Sequence, residues 1–234
     1  MSTSANKNSS HIGHILIGIL VVLVGVAALA FGWVWIDPLG TETDRQNNEQ
    51  AKEEAQKQES EDRFSDIEAG AANGEGEQLY YMALCYLEGQ NVEADAVKGM
   101  DLMMRAADAG YAPAQMAMYQ SLSTGTFVEE DRILAQAYLQ MALDQNAPDA
   151  LFTKAMLILE GNGYDDNEAD PYALIQQAAQ GGSAQAMWYL ADCYATGNGM
   201  PQDQAKADEW TARADEQDAQ DIAEREARMP KSLN

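Results

Sequence analysis

The chain has 234 residues, 46% of them hydrophobic, enough for one or two packed domains, and it sets 38 acidic residues against 14 basic ones for a formal net charge of -24. So acidic a body repels phosphate backbones and anionic lipid headgroups, which excludes nucleic acid as an expected ligand. Basic proteins are its natural electrostatic partners.

Residues 1–14 form a short tail in which Lys7 is the only Lys, Arg, Asp or Glu. Ile15 to Ile36 is an apolar run without an ionisable residue. At about 1.5 Å per residue it reaches about 33 Å, the thickness of a bilayer core. Trp33 and Trp35 stand at its end, where aromatic rings favour the membrane interface. The expectation is one transmembrane helix over 15–36, serving as a signal anchor. Ala28-Leu29-Ala30 also reads as a cleavage site behind a secretory segment, so cleavage after Ala30 is the rival reading. The run continues to Ile36 and the tail before it is weakly basic, and both favour the anchor. A short, weakly basic tail with the bulk of the chain behind it predicts N-in topology in an inner membrane, with the main domain periplasmic or extracytoplasmic.

Residues 37–57 read as a polar stalk. Asp37-Pro38-Leu39-Gly40 breaks the helix, and the stretch from Glu49 to Gln58 is polar on all sides but made of good helix formers.

From there the chain repeats. A shift of 36 superimposes Gly89, Gly125, Gly161 and Gly197; Asp95, Asp131, Asn167 and Asp203; and Ala106, Ala142, Ala178 and Ala214. A fixed period of this size predicts a solenoid of stacked units. In each unit an apolar-periodic first helix ends at the Gly, which takes a left-handed C-cap. The Asp/Asn caps the second helix. The Ala lies late in that helix and admits a close neighbour. Gly110 and Gly182 turn the chain into the next unit. Tyr86, Leu122, Ile158 and Tyr194 on first helices, with Leu102, Tyr138, Leu174 and Trp210 on second helices, are the expected core.

The columns resemble those of the Sel-one-like repeat family, relatives of the tetratricopeptide repeats. The resemblance is carried by Ala184-Gln185-Ala186, Leu190-Ala191, Tyr194, Gly197 and Gly199, then Asp203, Ala207, Trp210 and Ala214. It recurs in Ala112, Ala114-Gln115 and Gly125, and in Tyr86, Gly89, Val92, Ala106-Ala107 and Gly110. It implies an all-α fold, an α/α superhelical solenoid of antiparallel helix hairpins, that organises protein complexes; many bacterial members work in the cell envelope. The predicted organisation is a partial repeat helix at 58–74, four repeats over 75–217 and a capping helix with tail at 218–234. If that cap buries Ile222 against Trp210, it covers the open end of the array. Tyr119 stands where other units have a small residue, Asn91 and Phe127 where Gly199 stands. Pro171 and Lys154 fall on usually apolar columns, which predicts a local irregularity in the third unit.

Catalysis and metal binding find little here. The only histidines, His11 and His14, precede the apolar run. No P-loop, dinucleotide fingerprint or nucleophile elbow is present. Cys85 and Cys193 occupy one repeat position three units apart, at least roughly 20 Å from each other, beyond the ~7 Å a disulfide spans. Two unpaired thiols argue for a cytosolic domain against the topology above. The acidic loop from Gly163 to Asp170 lacks the ligand order of a calcium-binding hand. The expectation is a non-enzyme without cofactor, metal or small-molecule substrate, whose partners are proteins and, through the N-terminal helix, a membrane.

Tyr80, Met116, Phe152 and Trp188 are equivalent positions early in the four first helices, with Leu84 and Met156 a turn further on. Related solenoids line their concave face with first helices, so this row is the candidate groove for a peptide or helix. The competing reading packs the same side chains against the preceding hairpin. Two functions stand: a membrane-anchored interaction scaffold or adaptor of the cell envelope, and a regulatory, inhibitor-like protein docking a basic enzyme or transporter through its acidic surface. A third, an enzyme using carboxylates alone, would need two convergent acids in a cleft, and the acids here read as scattered on solvated faces.

Overall fold

The computed structural model describes residues 42–161 and 169–231. The tail, the apolar run 15–36, Asn167 and most of the acidic loop lie outside the described residues. Among the described residues every regular element is a helix, and no helix is long and apolar enough to cross a membrane.

Helix α1 spans Glu42–Ala72. It runs without a break through the expected boundary between stalk and partial repeat. The chain divides into compact units between Glu53 and Glu54. In the first unit, residues 44–53 are exposed turns of α1. The second unit holds the rest of α1 and all the later helices. Within it Ser60, Ile67, Gly70 and Ala71 of α1 are buried, a one-sided stripe at helical spacing.

Four hairpins come next: α2 (Gly76–Glu88) with α3 (Ala96–Asp108), α4 (Ala112–Thr124) with α5 (Arg132–Asp144), α6 (Pro148–Glu160) with α7 (Pro171–Gln180), and α8 (Ala184–Thr196) with α9 (Gln204–Arg228). The first helices end on Gly89, Gly125, Gly161 and Gly197 at φ 71°, 70°, 69° and 79°, the left-handed region that a Cβ disfavours. Asp95 accepts from the Lys98 N–H at 3.0 Å, Asp131 from Ile133 and Leu134 at 3.0 Å, and Asp203 from Lys206 at 3.2 Å. Each of these carboxylates satisfies helix-start donors that have no partner within the helix.

The third hairpin departs. Its second helix is capped by Asp170, which accepts from the Tyr172 N–H at 3.0 Å, rather than three residues earlier. Pro171 is the reason: it has no N–H to give a helix interior but suits the first helical position. Helix α7 therefore has ten residues where α3 and α5 have thirteen.

The column Ala106, Ala142, Ala178 and Ala214 is wholly buried, 0% exposed in every unit. Leu102 and Tyr138 are buried, while Leu174 and Trp210 are half-buried. The first-helix column differs from expectation. Only Leu122 is buried; Tyr86, Ile158 and Tyr194 are half-buried, and a lysine lies over each tyrosine ring: Lys98 at 4.0 Å and Lys206 at 5.0 Å from the centroid. The tyrosines thus pack one face inward and give the other to a cation.

Helix α9 is longer than a repeat requires. Its 25 residues extend about 37 Å, fusing the last repeat helix to the expected cap. Ile222 does not reach Trp210: twelve positions on one straight helix separate them by about 18 Å, and Ile222 is 60% exposed. The end of α9 instead returns to the first helices. Arg63 Nη1 donates to the carbonyl oxygens of Glu226 (3.1 Å) and Ala227 (2.7 Å), taking up acceptors the helix terminus leaves open. Ser60 Oγ donates to the Lys231 carbonyl at 2.7 Å and accepts from Asn91 Nδ2 at 2.9 Å. Arg228 pairs with Glu77 at 2.6 Å, and Arg225 with Glu88. Met229 and Pro230 are buried at this junction. Helix α9 is therefore a strut from the fourth hairpin to the first, not a lid on the open end.

Candidate partner-binding surface

The row of large side chains on first helices is distributed over three packing clusters. Tyr80 and Leu84 flank the first, Met116 a small cluster around Leu139, and Phe152 the third. Tyr80, Met116, Phe152, Leu84 and Met156 are all half-buried, and Trp188 is 41% exposed. Tyr80, Leu84, Met116 and Phe152 each pack against a cluster while staying partly open to solvent. Phe152 meets Tyr189 edge-on with centroids 5.9 Å apart. Tyr80 lies 5.4 Å from Tyr81 and 5.2 Å from Tyr111.

The strut touches this row at both ends. Trp188 Nε1 donates to Asp218 Oδ2 at 3.1 Å. Further along α9, Asp221, Glu224 and Arg225 line a cleft with Tyr80, Tyr81, Leu84, Tyr111 and Pro113. The repeat columns gave no hint of Tyr81, Tyr111 or the α9 residues. The available signal was Arg225 and Arg228 at helical spacing in an acidic helix that ends on Met229-Pro230.

No cluster of three or more His, Cys, Asp or Glu suited to a metal occurs among the described residues. Cys85 and Cys193 are both free and buried. Burial, helped by the Glu88 charge, pushes the Cys85 thiol up to about 11. Burial and Asp192 raise Cys193 as well. The reactive form is the thiolate, so native Cys85 is expected to react with a soluble disulfide reagent at pH 7 about a hundredfold more slowly than in denaturant. Equal rates in both states would contradict that burial.

The Sel1 repeat profile matches residues 79–111, 114–146 and 184–217. These are the first, second and fourth hairpins, and the match omits the third, where Pro171 shortens the helix. Comparison with curated protein sequences finds no match. Among solved structures the chain is similar to a Sel1 repeat protein from Oxalobacter formigenes, with 29% identity and a TM-score of 0.53 over 65% of this chain and 44% of that one. It is also similar to a protective antigen of uropathogenic Escherichia coli strains that displays an SLR fold, with 27% identity and a TM-score of 0.52 over 66% of this chain and 33% of that one. The chain thus spans less than half the length of either. It carries Sel1 repeats and folds as a helical solenoid of that type.

Proposed function

We propose that this Sel1-repeat chain is a membrane-anchored scaffold of the cell envelope, a non-enzyme that gathers protein partners on its solenoid. Proteins with these repeats are generally interaction scaffolds. The observation that carries the reading is the row of first-helix side chains, apolar and half-open to solvent over a close-packed alanine core, with Trp188 41% exposed. Rigid aromatic anchors with one free flank supply contact area at low entropic cost. The run from Ile15 to Ile36 supports an anchor, with the domain on the extracytoplasmic side. The two free thiols, which by themselves argue for a cytosolic domain, are buried and protonated, so they are compatible with an oxidising compartment without favouring it.

The acidic surface supports a second reading, a regulatory protein that docks a basic enzyme or transporter. Crosslinking in intact cells separates the two. A C-terminally tagged full chain is crosslinked, and a membrane-impermeant protease reports which side the tag occupies. The scaffold reading expects an accessible tag once the outer barrier is opened, and a defined envelope protein that Trp188→Ala fails to retain. Retention by Trp188→Ala, with loss of the partner only at high salt, would favour the acidic surface. A tag shielded by the inner membrane would sink the extracytoplasmic placement.

A further inference from the structure

Where α9 passes the first hairpin the two line an open cleft of about 250 Å³, with Arg225 of the strut on its wall. One side is three tyrosines. Tyr80 stands at 74° to Tyr81 and at 54° to Tyr111, and Tyr80 and Tyr111 are half-buried while Tyr81 is buried. Leu84 and Pro113 complete this side. The facing wall is α9, with Asp221 and Glu224 three positions apart and therefore on one face of the helix. Arg225, beside them, is engaged by Glu88. Glu224 lies 3.6 Å from Arg228, itself shared with Glu77. Asp221 accepts from the neutral amide of Gln217 at 2.8 Å, which leaves its charge in place. Burial raises all three tyrosine hydroxyls, against the lowering effect of the Arg225 charge at Tyr80 and the Arg228 charge at Tyr81.

We propose that this cleft receives a lysine or arginine side chain of a protein partner, held between the tyrosine rings and the carboxylates of Asp221 and Glu224. The chemistry selects the occupant. Aromatic faces carry negative potential and attract a cation, and two carboxylates across the gap add to the attraction. An anion could pair only with Arg225, which Glu88 already engages, and would face the carboxylates of Asp221 and Glu224 on a chain of net charge -24. An apolar group would strip water from the carboxylates without returning a hydrogen bond. The volume is below the ~300–1,000 Å³ of ordinary ligand pockets, which suits one long side chain. Arginine is the better fit, because its planar guanidinium stacks on a ring while donating to a carboxylate. The partner surface is then basic, in line with the chain's overall charge, and the first hairpin with α9 is where it is gripped.

This inference rests on the reading of the chain as one that binds protein partners, and its test can fail separately from it. The full-length chain in detergent, with isotope-labelled tyrosine rings assigned by single Tyr→Phe variants, is titrated with N-acetyl-arginine amide and with the neutral N-acetyl-citrulline amide. The expected result is a saturable shift at Tyr80, Tyr81 and Tyr111 with the arginine compound alone. Asp221→Asn with Glu224→Gln should weaken it about tenfold. Asp221→Asn by itself disturbs no ion pair and should weaken it in the same direction if the double variant melts early. No saturable shift, an equal response to citrulline, or undiminished binding by a folded Asp221→Asn chain would each overturn the proposal. In the crosslinking experiment, a partner retained by the double variant would overturn the cleft as a grip and leave the scaffold standing. Arginine binding with no partner captured would uphold the cleft's chemistry and sink the scaffold.

Discussion

Leu139→Ala is expected to lower the unfolding free energy by about 2–5 kcal/mol, the range for emptying a fully buried leucine site. Leu139 is 0% exposed. With Ala142 and Ala150 it forms the small cluster that joins the second hairpin to the third, flanked by Met116, Tyr119, Leu143 and Leu157. The neighbours include two alanines that cannot reach into a void, so the cavity would persist instead of collapsing. In a solenoid each unit is stabilised chiefly by its neighbours, so a weakened interface in the middle has a second consequence. The hairpins on its two sides should begin to unfold separately, turning one sharp transition into a broad or stepped one. Urea unfolding of the full chain followed by circular dichroism measures both effects. Leu134→Ala is the control, since Leu134 is 38% exposed on the same helix and should cost much less. A loss below about 1 kcal/mol at Leu139 would mean that this interface is not packed as described.

How much of the fold is legible in the sequence depends on the range of the interaction. The glycine caps at 89, 125, 161 and 197 and the aspartate caps at 95, 131 and 203 are local: one residue's backbone or carboxylate answers its own helix end, and so they appear as columns. The alanine column is nearly as local, because each Ala answers an adjacent helix. Asn91 and Phe127 have φ of 57° and 67°, matching Gly199 at 74°, so the loop shape survives where the glycine does not. Two features exceed what a column can say. A tyrosine at Tyr86 or Tyr194 reads as core by position, but its depth depends on the lysine one hairpin arm away. The return of α9 to α1 and α2 depends on the small rotation each hairpin adds to the last, a sum that no single repeat encodes. Arg225 and Arg228 look like ordinary cations at a helix C-terminus, where the dipole favours them. Their partners Glu88 and Glu77 lie 137 and 151 residues away.

That long return has its own expected result. A chain ending at Gln217 should lose about 2–5 kcal/mol, although residues 218–231 include no repeat column. Burial of a methionine contributes about 1.5–3 kcal/mol, and Met229 is 5% exposed. The Arg225–Glu88 and Arg228–Glu77 pairs are each a third to a half exposed and contribute about 0.2–1 kcal/mol apiece after solvent screening. Truncation also leaves Ser60, 1% exposed in the intact chain, without its Lys231 acceptor. Hydrogen exchange should localise the loss: amides of α1 and α2 gain exchange, while α5 and α6 keep their protection. The Arg225→Ala, Arg228→Ala chain separates the contributions. It should lose no more than about 2 kcal/mol, less still at high salt, whereas the loss from Met229→Ser should be insensitive to salt. Protection unchanged in α1 and α2 after truncation would show that the strut does not hold the first hairpin. Increased exchange confined to those helices would mean that the first hairpin, and with it the Tyr80 end of the candidate row, is held in place by a helix the repeats do not require.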